Sequence, residues 1–265
     1  MSSTNKTPIE PMSVEYTETV GDLENRIRAH KLFSKTSLDD VLSKCLDLVP
    51  ADSTILDLGC GSGNFYRLFA SKARSYVGID ISKELLKEFR NKQQQSVVLI
   101  ISSMDDLPIF QSGSFDAIFS IYSIYYSLRP EDLVMNLHSV LSERGHLFVV
   151  GPSRSAHAQE IDEFCNTIAN KSRPSVDKNT RIDNFHSRIV PEILQRFSAA
   201  NVEEIDGSLY FQSSEEWAKY VASTPQAREC SGLHGDPLLE LAVKYSTTNS
   251  CLTVSKYITA VTAAK

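Results

Sequence analysis

Three glycines at alternate positions, Gly59, Gly61 and Gly63, follow a short apolar run that ends in an acid, in the segment ILDLGCGSGNF at residues 55–65. Glycine lets a chain turn sharply after a strand and brings its backbone against a ligand, because no Cβ stands in the way. A dinucleotide fingerprint would put the third glycine one residue later, where Asn64 stands instead. Asp57, just ahead of the turn, would repel a pyrophosphate packed on the same backbone and would attract an ammonium group. A second acid, Asp80, ends the run YVGIDIS. It lies roughly 20 residues past the first glycine, where a carboxylate accepts hydrogen bonds from ribose hydroxyls. Taken alone, Asp80 could also be a helix-entry cap.

Two acids around such a turn describe a ligand with a nucleoside, a cationic group and no phosphates. S-adenosyl-L-methionine meets that description. A nicotinamide-dependent oxidoreductase on a related sheet and a non-catalytic cofactor-binding protein are the rival readings. The spacing of the glycines and Asp57 count against the first of them.

The elements that must position these residues alternate. Leu38, Val41, Leu42, Cys45, Leu46 and Val49 share one helical face, with Ser37 as N-cap and Pro50 as terminator. Residues 53–58, 75–80, 96–102, 115–122 and 146–150 read as strands. Helical patterns cover 65–72, 82–89 and 130–141, the last opened by Pro130 and closed by Gly145. The apolar run VVLII at 97–101 lacks alternation, which predicts a strand buried on both faces. This rhythm implies a doubly wound parallel α/β sheet with helices on both faces and its ligand at the carboxyl ends of the strands. Beyond Gly151 the expected elements are helices at 156–169, 190–199, 214–222 and 237–245. A polar loop at 171–184, a strand at 202–211 and a β-rich run at 251–261 complete the chain.

With these motifs in hand, the chain resembles the class I S-adenosylmethionine-dependent methyltransferases that act on small molecules. ILDLGCGSG, YVGIDIS, SSMDDLPI, FDAIFSIYSIYY and the RGHLFVV unit stand in the order that family shows. The resemblance implies a three-layer, mostly parallel seven-stranded sheet with an N-terminal helical cap and C-terminal lid insertions. It implies that Gly59 and Gly61, with Cys60 and Gly63 completing the turn, pass beneath the methionine part while Asp57 helps hold its ammonium. Asp80 would take the ribose hydroxyls and Ile81 would pack on the adenine face. The family carries an acid at the position of Ser103; here the Met104 backbone N–H and Asp105 become the expected partners of the adenine. Ser120 and the segment after it would run beneath the methyl donor.

Many relatives carry a His pair where Tyr125 and Tyr126 stand. A tyrosine can orient a nucleophile, but with an unperturbed pKa near 10 it is a poor general base at neutral pH; each could equally be a core aromatic. The candidate bases are His30, His157 and His186. His138 and His146 read as structural. The basic residues of 171–188 read as a solvated loop, unless one arginine clamps an anionic group on the acceptor. Trp217, Tyr210, Phe211 and Tyr220 fall in the expected acceptor lid.

Composition bounds the partners. The net charge of −6 lacks the basic field a nucleic-acid binder advertises, so a small-molecule acceptor is expected and nucleic acid is not. Five scattered cysteines without a Cys-x-x-Cys spacing imply free thiols and no metal. No apolar run is long enough for a bilayer, so a cytoplasmic protein is expected. The expected organisation is a flexible tail at 1–20, a cap at 21–50, a cofactor-binding half at 51–153, acceptor-binding elements at 154–250 and a final strand at 251–263. The oligomeric state is not legible.

Overall fold

The computed structural model describes residues 19–92, 97–168 and 176–265; side chains at 20, 155–157 and 176–179 stay outside the description. The expected tail therefore lies almost wholly outside the described residues. Two helices, α1 (Val20–Phe33) and α2 (Leu38–Asp47), lead into β1 (Ser53–Leu58), α3 (Tyr66–Ala70), β2 (Ala73–Asp80), α4 (Lys83–Lys92) and β3 (Val98–Ile101). Then come β4 (Phe115–Ile121), α5 (Pro130–Val140), β5 (Leu141–His157), α6 (Gln159–Ile168), α7 (Val176–Asn184), α8 (Val190–Arg196) and β6 (Ala199–Asp206). The chain closes through β7 (Leu209–Tyr210), α9 (Ser214–Ala222), α10 (Pro225–Ser231), α11 (Asp236–Asn249), β8 (Thr253–Val254) and β9 (Lys256–Ala264).

The main sheet has seven strands in the order β3-β2-β1-β4-β5-β9-β6, and only β9 runs antiparallel to its neighbours. The chain moves outward from β1 to β3, then returns to place β4 on the other side of β1. That reversal opens a crevice at the carboxyl ends of β1 and β4, where doubly wound sheets bind ligands. Apolar residues on both sides of the central strands explain their lack of alternation. Leu56, Leu58 and Ile118 join the core under α5 and α8, while Ile55, Ala117 and Phe119 join the core under α2, α3 and α4. A third core, built around Trp217, Phe164 and Leu238, unites α6, α9 and α11 with the β7–β8 pair.

Several expectations require correction. The VVLII strand is an edge strand; Val98 and Ile101 are 52% and 58% exposed. An unbroken apolar run does not distinguish an edge strand beside a ligand crevice from a central one. The helix opened by Pro130 ends at Val140, ahead of Gly145, because β5 already pairs with Phe115 through Leu141. The expected polar loop is helical over Val176–Asn184, running through a π-turn at Phe185–Ile189 into α8. Phe185 and Ile189 are fully buried and anchor that turn.

Candidate active site

The glycine turn joins β1 to α3 at the crevice. Gly59 has φ +76°, and a Cβ there would stand 2.2 Å from Cβ of Ser123. Gly61 has φ +53°, but a Cβ there would meet nothing closer than Leu85 Cδ1 at 3.8 Å. One glycine thus makes room for the protein itself. The other keeps a face of the turn open.

Two carboxylates flank this turn. Asp57 is 4% exposed and accepts a hydrogen bond from Tyr76 Oη at 2.7 Å. Burial pushes its carboxyl up to about 7; the Tyr76 bond opposes the rise and the nearby charge of Asp80 adds to it. Asp80 accepts the Gly61 N–H at 2.8 Å on one oxygen and the Ser82 N–H at 2.8 Å on the other. Burial raises its carboxyl against those backbone bonds. Cys60 lies between the acids, and burial followed by their charges pushes its thiol well up, so it is no nucleophile. A buried carboxylate and a half-buried one that repel each other beside an open turn favour a cation and disfavour phosphate. Ile81, next to Asp80, is 63% exposed, an apolar surface suited to a flat ring. These residues fit the donor the sequence implies.

Other expected cofactor contacts change role. Ser103 caps the short turn Met104–Asp106 by accepting the Asp105 N–H at 3.2 Å, and Met104 packs partly buried against the core. Asp105 is engaged within the protein. Its carboxylate is bound by the Ser127 hydroxyl and accepts the Leu128 N–H at 2.8 Å, tying this loop to the segment after β4. Asp106 pairs on the surface with Arg129 at 2.7 Å. Ser120 is fully buried behind the turn, with its hydroxyl 2.6 Å from that of Ser123. Ser123 donates to the Leu58 carbonyl at 2.5 Å, so the Ser120 hydroxyl is left as the donor of that pair. Ser120 is thus bonded to Ser123, within the protein.

The segment after β4 carries the second half of the site. Tyr125 is a core aromatic, 9% exposed, its ring centroid 4.9 Å from that of Tyr126. The Tyr126 hydroxyl accepts from Arg181 Nη1 at 3.0 Å. Neither is set as a base, and burial lifts the Tyr125 phenol further above its ordinary value. Tyr122 is the unusual member. Its φ is +55°, a conformation that costs a non-glycine residue energy and concentrates at functional sites. Its hydroxyl is buried with no hydrogen-bond partner among the described residues.

His30, on α1, faces this segment. Its Nε2 lies 3.0 Å from Lys256 Nζ, its Nδ1 lies 3.3 Å from Ser34 Oγ, and its ring meets Tyr220 edge-on at 5.6 Å. Lys256 is 7% exposed, and its ammonium position lies 4.7 Å from the Tyr122 ring centroid. Burial, with Arg26 adding to it, lowers the Lys256 amine to about 7. The backbone of His157 pairs in register with Lys256, but its side chain lies outside the described residues. His186 is anchored elsewhere, 2.9 Å from the Pro152 carbonyl. His138 packs edge-on against Phe197 and His146 stacks near Phe148.

Sequence reading missed Tyr76, Tyr122 and Lys256 as site residues. Lys256 did leave a signal, since it is the one charged residue in the apolar run KYITAVTAA of β9. Tyr122 stood with Tyr125 and Tyr126 in one short segment, and nothing in the string marks its backbone. Among the described residues no cluster suits a metal ion, and no helix is long and apolar enough to cross a membrane.

The chain is similar to known methyltransferases over part of its length. A methyltransferase domain family model matches residues 56–149. A tRNA U34 carboxymethyltransferase of Psychromonas ingrahamii is 34% identical over 42% of this chain and 36% of its own length. A ubiquinone biosynthesis O-methyltransferase of Xanthomonas axonopodis pv. citri is 31% identical over 42% of this chain and 48% of its own. The chain thus spans between a third and a half of these curated relatives. The crystal structure of the YcgJ protein from Bacillus subtilis shares the fold, with a TM-score of 0.56 at 15% identity, over 86% of this chain and 97% of that one.

Proposed function

We propose that this chain is a class I S-adenosylmethionine-dependent methyltransferase that transfers a methyl group from that donor to a small organic acceptor by in-line displacement; the methyltransferase domain match over residues 56–149 supports this reading. The observation that carries this reading is the pairing of buried Asp57 with half-buried Asp80 beside the open face of Gly61. The chain keeps two carboxylates close together where a positively charged adenosyl ligand would relieve their repulsion. The donor supplies an already activated methyl on a sulfonium. The protein's work is then to hold it, align the acceptor and exclude water.

On this reading residues 51–153 hold the donor, 21–50 and 154–250 enclose the acceptor, and 251–263 closes the sheet. Asp57 faces the ammonium, Asp80 both shapes the turn and meets the ribose, and Ile81 and Met104 border the adenine. The acceptor lies on the Tyr122 side of the turn. The relative that acts on tRNA raises a nucleic-acid acceptor as the second possibility; the net charge of −6 favours the small molecule.

The test is calorimetric titration with S-adenosylhomocysteine and with NADH, followed by a labelled-donor screen against phenols, amines, thiols, carboxylic acids and bulk tRNA. Binding of the first ligand alone, and label on a small acceptor, is the expected result. Binding of NADH alone, or label on tRNA alone, overturns the reading.

A further inference from the structure

We propose that Lys256 is the proton acceptor for an aromatic hydroxyl seated against Tyr122 and Tyr220, which makes the acceptor a phenol; this inference rests on the methyl-transfer reading above. Lys256 opens β9, whose antiparallel pairing with β5 brings it to the carboxyl end of the parallel strands. That is the edge occupied by the glycine turn. Tyr122 and Ser123 are consecutive: Ser123 packs against Gly59, and the Tyr122 ring faces the Lys256 amine. One residue step therefore links the donor turn to the amine.

The groups around Lys256 support a neutral amine. Helix α1 supplies His30 and Arg26, the segment after β4 supplies Tyr122, and α9 supplies Tyr220. The acids of neighbouring elements are engaged elsewhere. Asp206 of β6 binds Lys35 at 2.7 Å, and Glu160 of α6 accepts from the Ser255 N–H at 2.8 Å and from its hydroxyl at 2.5 Å. No carboxylate among the described residues pairs with Lys256, and its neutral form is a base with an imidazole 3.0 Å away to receive the proton.

The chemistry of the surroundings selects the acceptor. Tyr122 lies beside the Lys256 amine, His30 meets Tyr220 edge-on, and Phe211 packs behind Tyr220; aromatic surroundings of this kind suit a flat ring. A carboxylic acid is already ionised at neutral pH and needs no base. A phenol, with a pKa of roughly 10 like tyrosine, gains from an amine of near-neutral basicity. Lys256 takes the hydroxyl proton while an oxygen lone pair forms the bond to the methyl carbon. The carbon–sulfur bond breaks, its electron pair stays on sulfur as a neutral thioether, and the proton passes from Lys256 to His30 and water.

The test uses the whole chain with catechol and 4-nitrophenol as acceptors, the latter largely ionised in mildly alkaline buffer. Wild-type protein is expected to methylate both, with the catechol rate rising through an inflection near neutral pH. Lys256→Met is expected to lose about 100-fold or more on catechol and to keep 4-nitrophenol turnover within a few-fold. Lys256→Gln serves where the Met variant fails to fold. Independently of turnover, one lysine ε-carbon resonance in labelled wild-type protein should titrate near neutrality and vanish in the variant. An ordinary lysine titration, equal losses on the two phenols in a folded variant, or donor binding with no phenol methylated would each overturn the proposal. Failure of S-adenosylhomocysteine to bind would instead remove the reading beneath it.

Discussion

The Cβ that Gly59 lacks would stand 2.2 Å from Cβ of Ser123, and the Ser123 hydroxyl donates to the Leu58 carbonyl at 2.5 Å. The turn after β1 and the segment after β4 are therefore interlocked, although more than 60 residues separate them in the chain. Gly59→Ala adds a methyl group to a left-handed backbone and forces it into Ser123. The expected cost is about 3 kcal/mol, with loss of donor binding. Ser123→Gly in the same protein frees the space and should recover at least about 1 kcal/mol of it. Urea unfolding of the two single variants and the double variant measures this coupling; strict additivity would contradict the interlock.

Asp80 holds the turn through both oxygens, on Gly61 and on Ser82. Asp80→Asn keeps one acceptor and sets an amide N–H₂ against a backbone N–H. We expect a stability loss of about 1–3 kcal/mol and donor affinity reduced roughly 100-fold, or about 2.7 kcal/mol. Thermal unfolding with and without S-adenosylhomocysteine checks both. A variant with unchanged affinity would reduce Asp80 to a helix-entry cap.

Tyr122 and Tyr126 should respond in opposite ways. The Tyr126 hydroxyl accepts from Arg181, so Tyr126→Phe is expected to lose about 1 kcal/mol of stability and to leave turnover within about threefold, since no reacting group depends on that hydroxyl. The Tyr122 hydroxyl is buried without a described partner. Removing a buried unsatisfied group is neutral or stabilising, so Tyr122→Phe should hold or raise the unfolding midpoint while lowering turnover. Parallel melting curves and initial rates on the same preparations separate the two. Lost stability in Tyr122→Phe would reveal a hydrogen bond at that hydroxyl.

The alternation of strands and helices was readable because each strand is apolar and each boundary carries its own chemistry, such as Ser37, Pro130 and the glycines. The glycine turn and its flanking acids were readable for the same reason. A turn with left-handed residues favours glycine, and the acids beside it are close in sequence to the strand ends. The cluster around Lys256 depends on contacts between distant elements. His30 meets Lys256 across 226 positions, and no local pattern encodes that distance. The contacts of Asp105 were not legible because a loop carboxylate looks the same in sequence whether it is free or, as here, closes on Ser127 and Leu128. The helix at Val176–Asn184 was misread because its segment is polar, and its order comes from Phe185 and Ile189 just beyond it.

Asp57 makes donor binding depend on pH. Its carboxyl titrates at about 7 in the fold, against 3.8 ordinarily. Between those values the folded protein holds a proton that the unfolded chain has released. This group's contribution to stability is therefore full below about 4, falls as pH rises through the window and levels off above neutrality. A cationic donor needs the ionised carboxylate, so affinity should climb as pH rises toward 7 and flatten beyond it. Binding in mildly acidic buffer should release protons, visible as a calorimetric enthalpy that changes with the buffer's ionisation heat. Asp57→Asn should abolish both slopes. Tyr76→Phe removes the hydrogen bond that opposes the rise and should move the inflection above 7. Donor affinity independent of pH in the wild-type protein would place the ammonium away from Asp57.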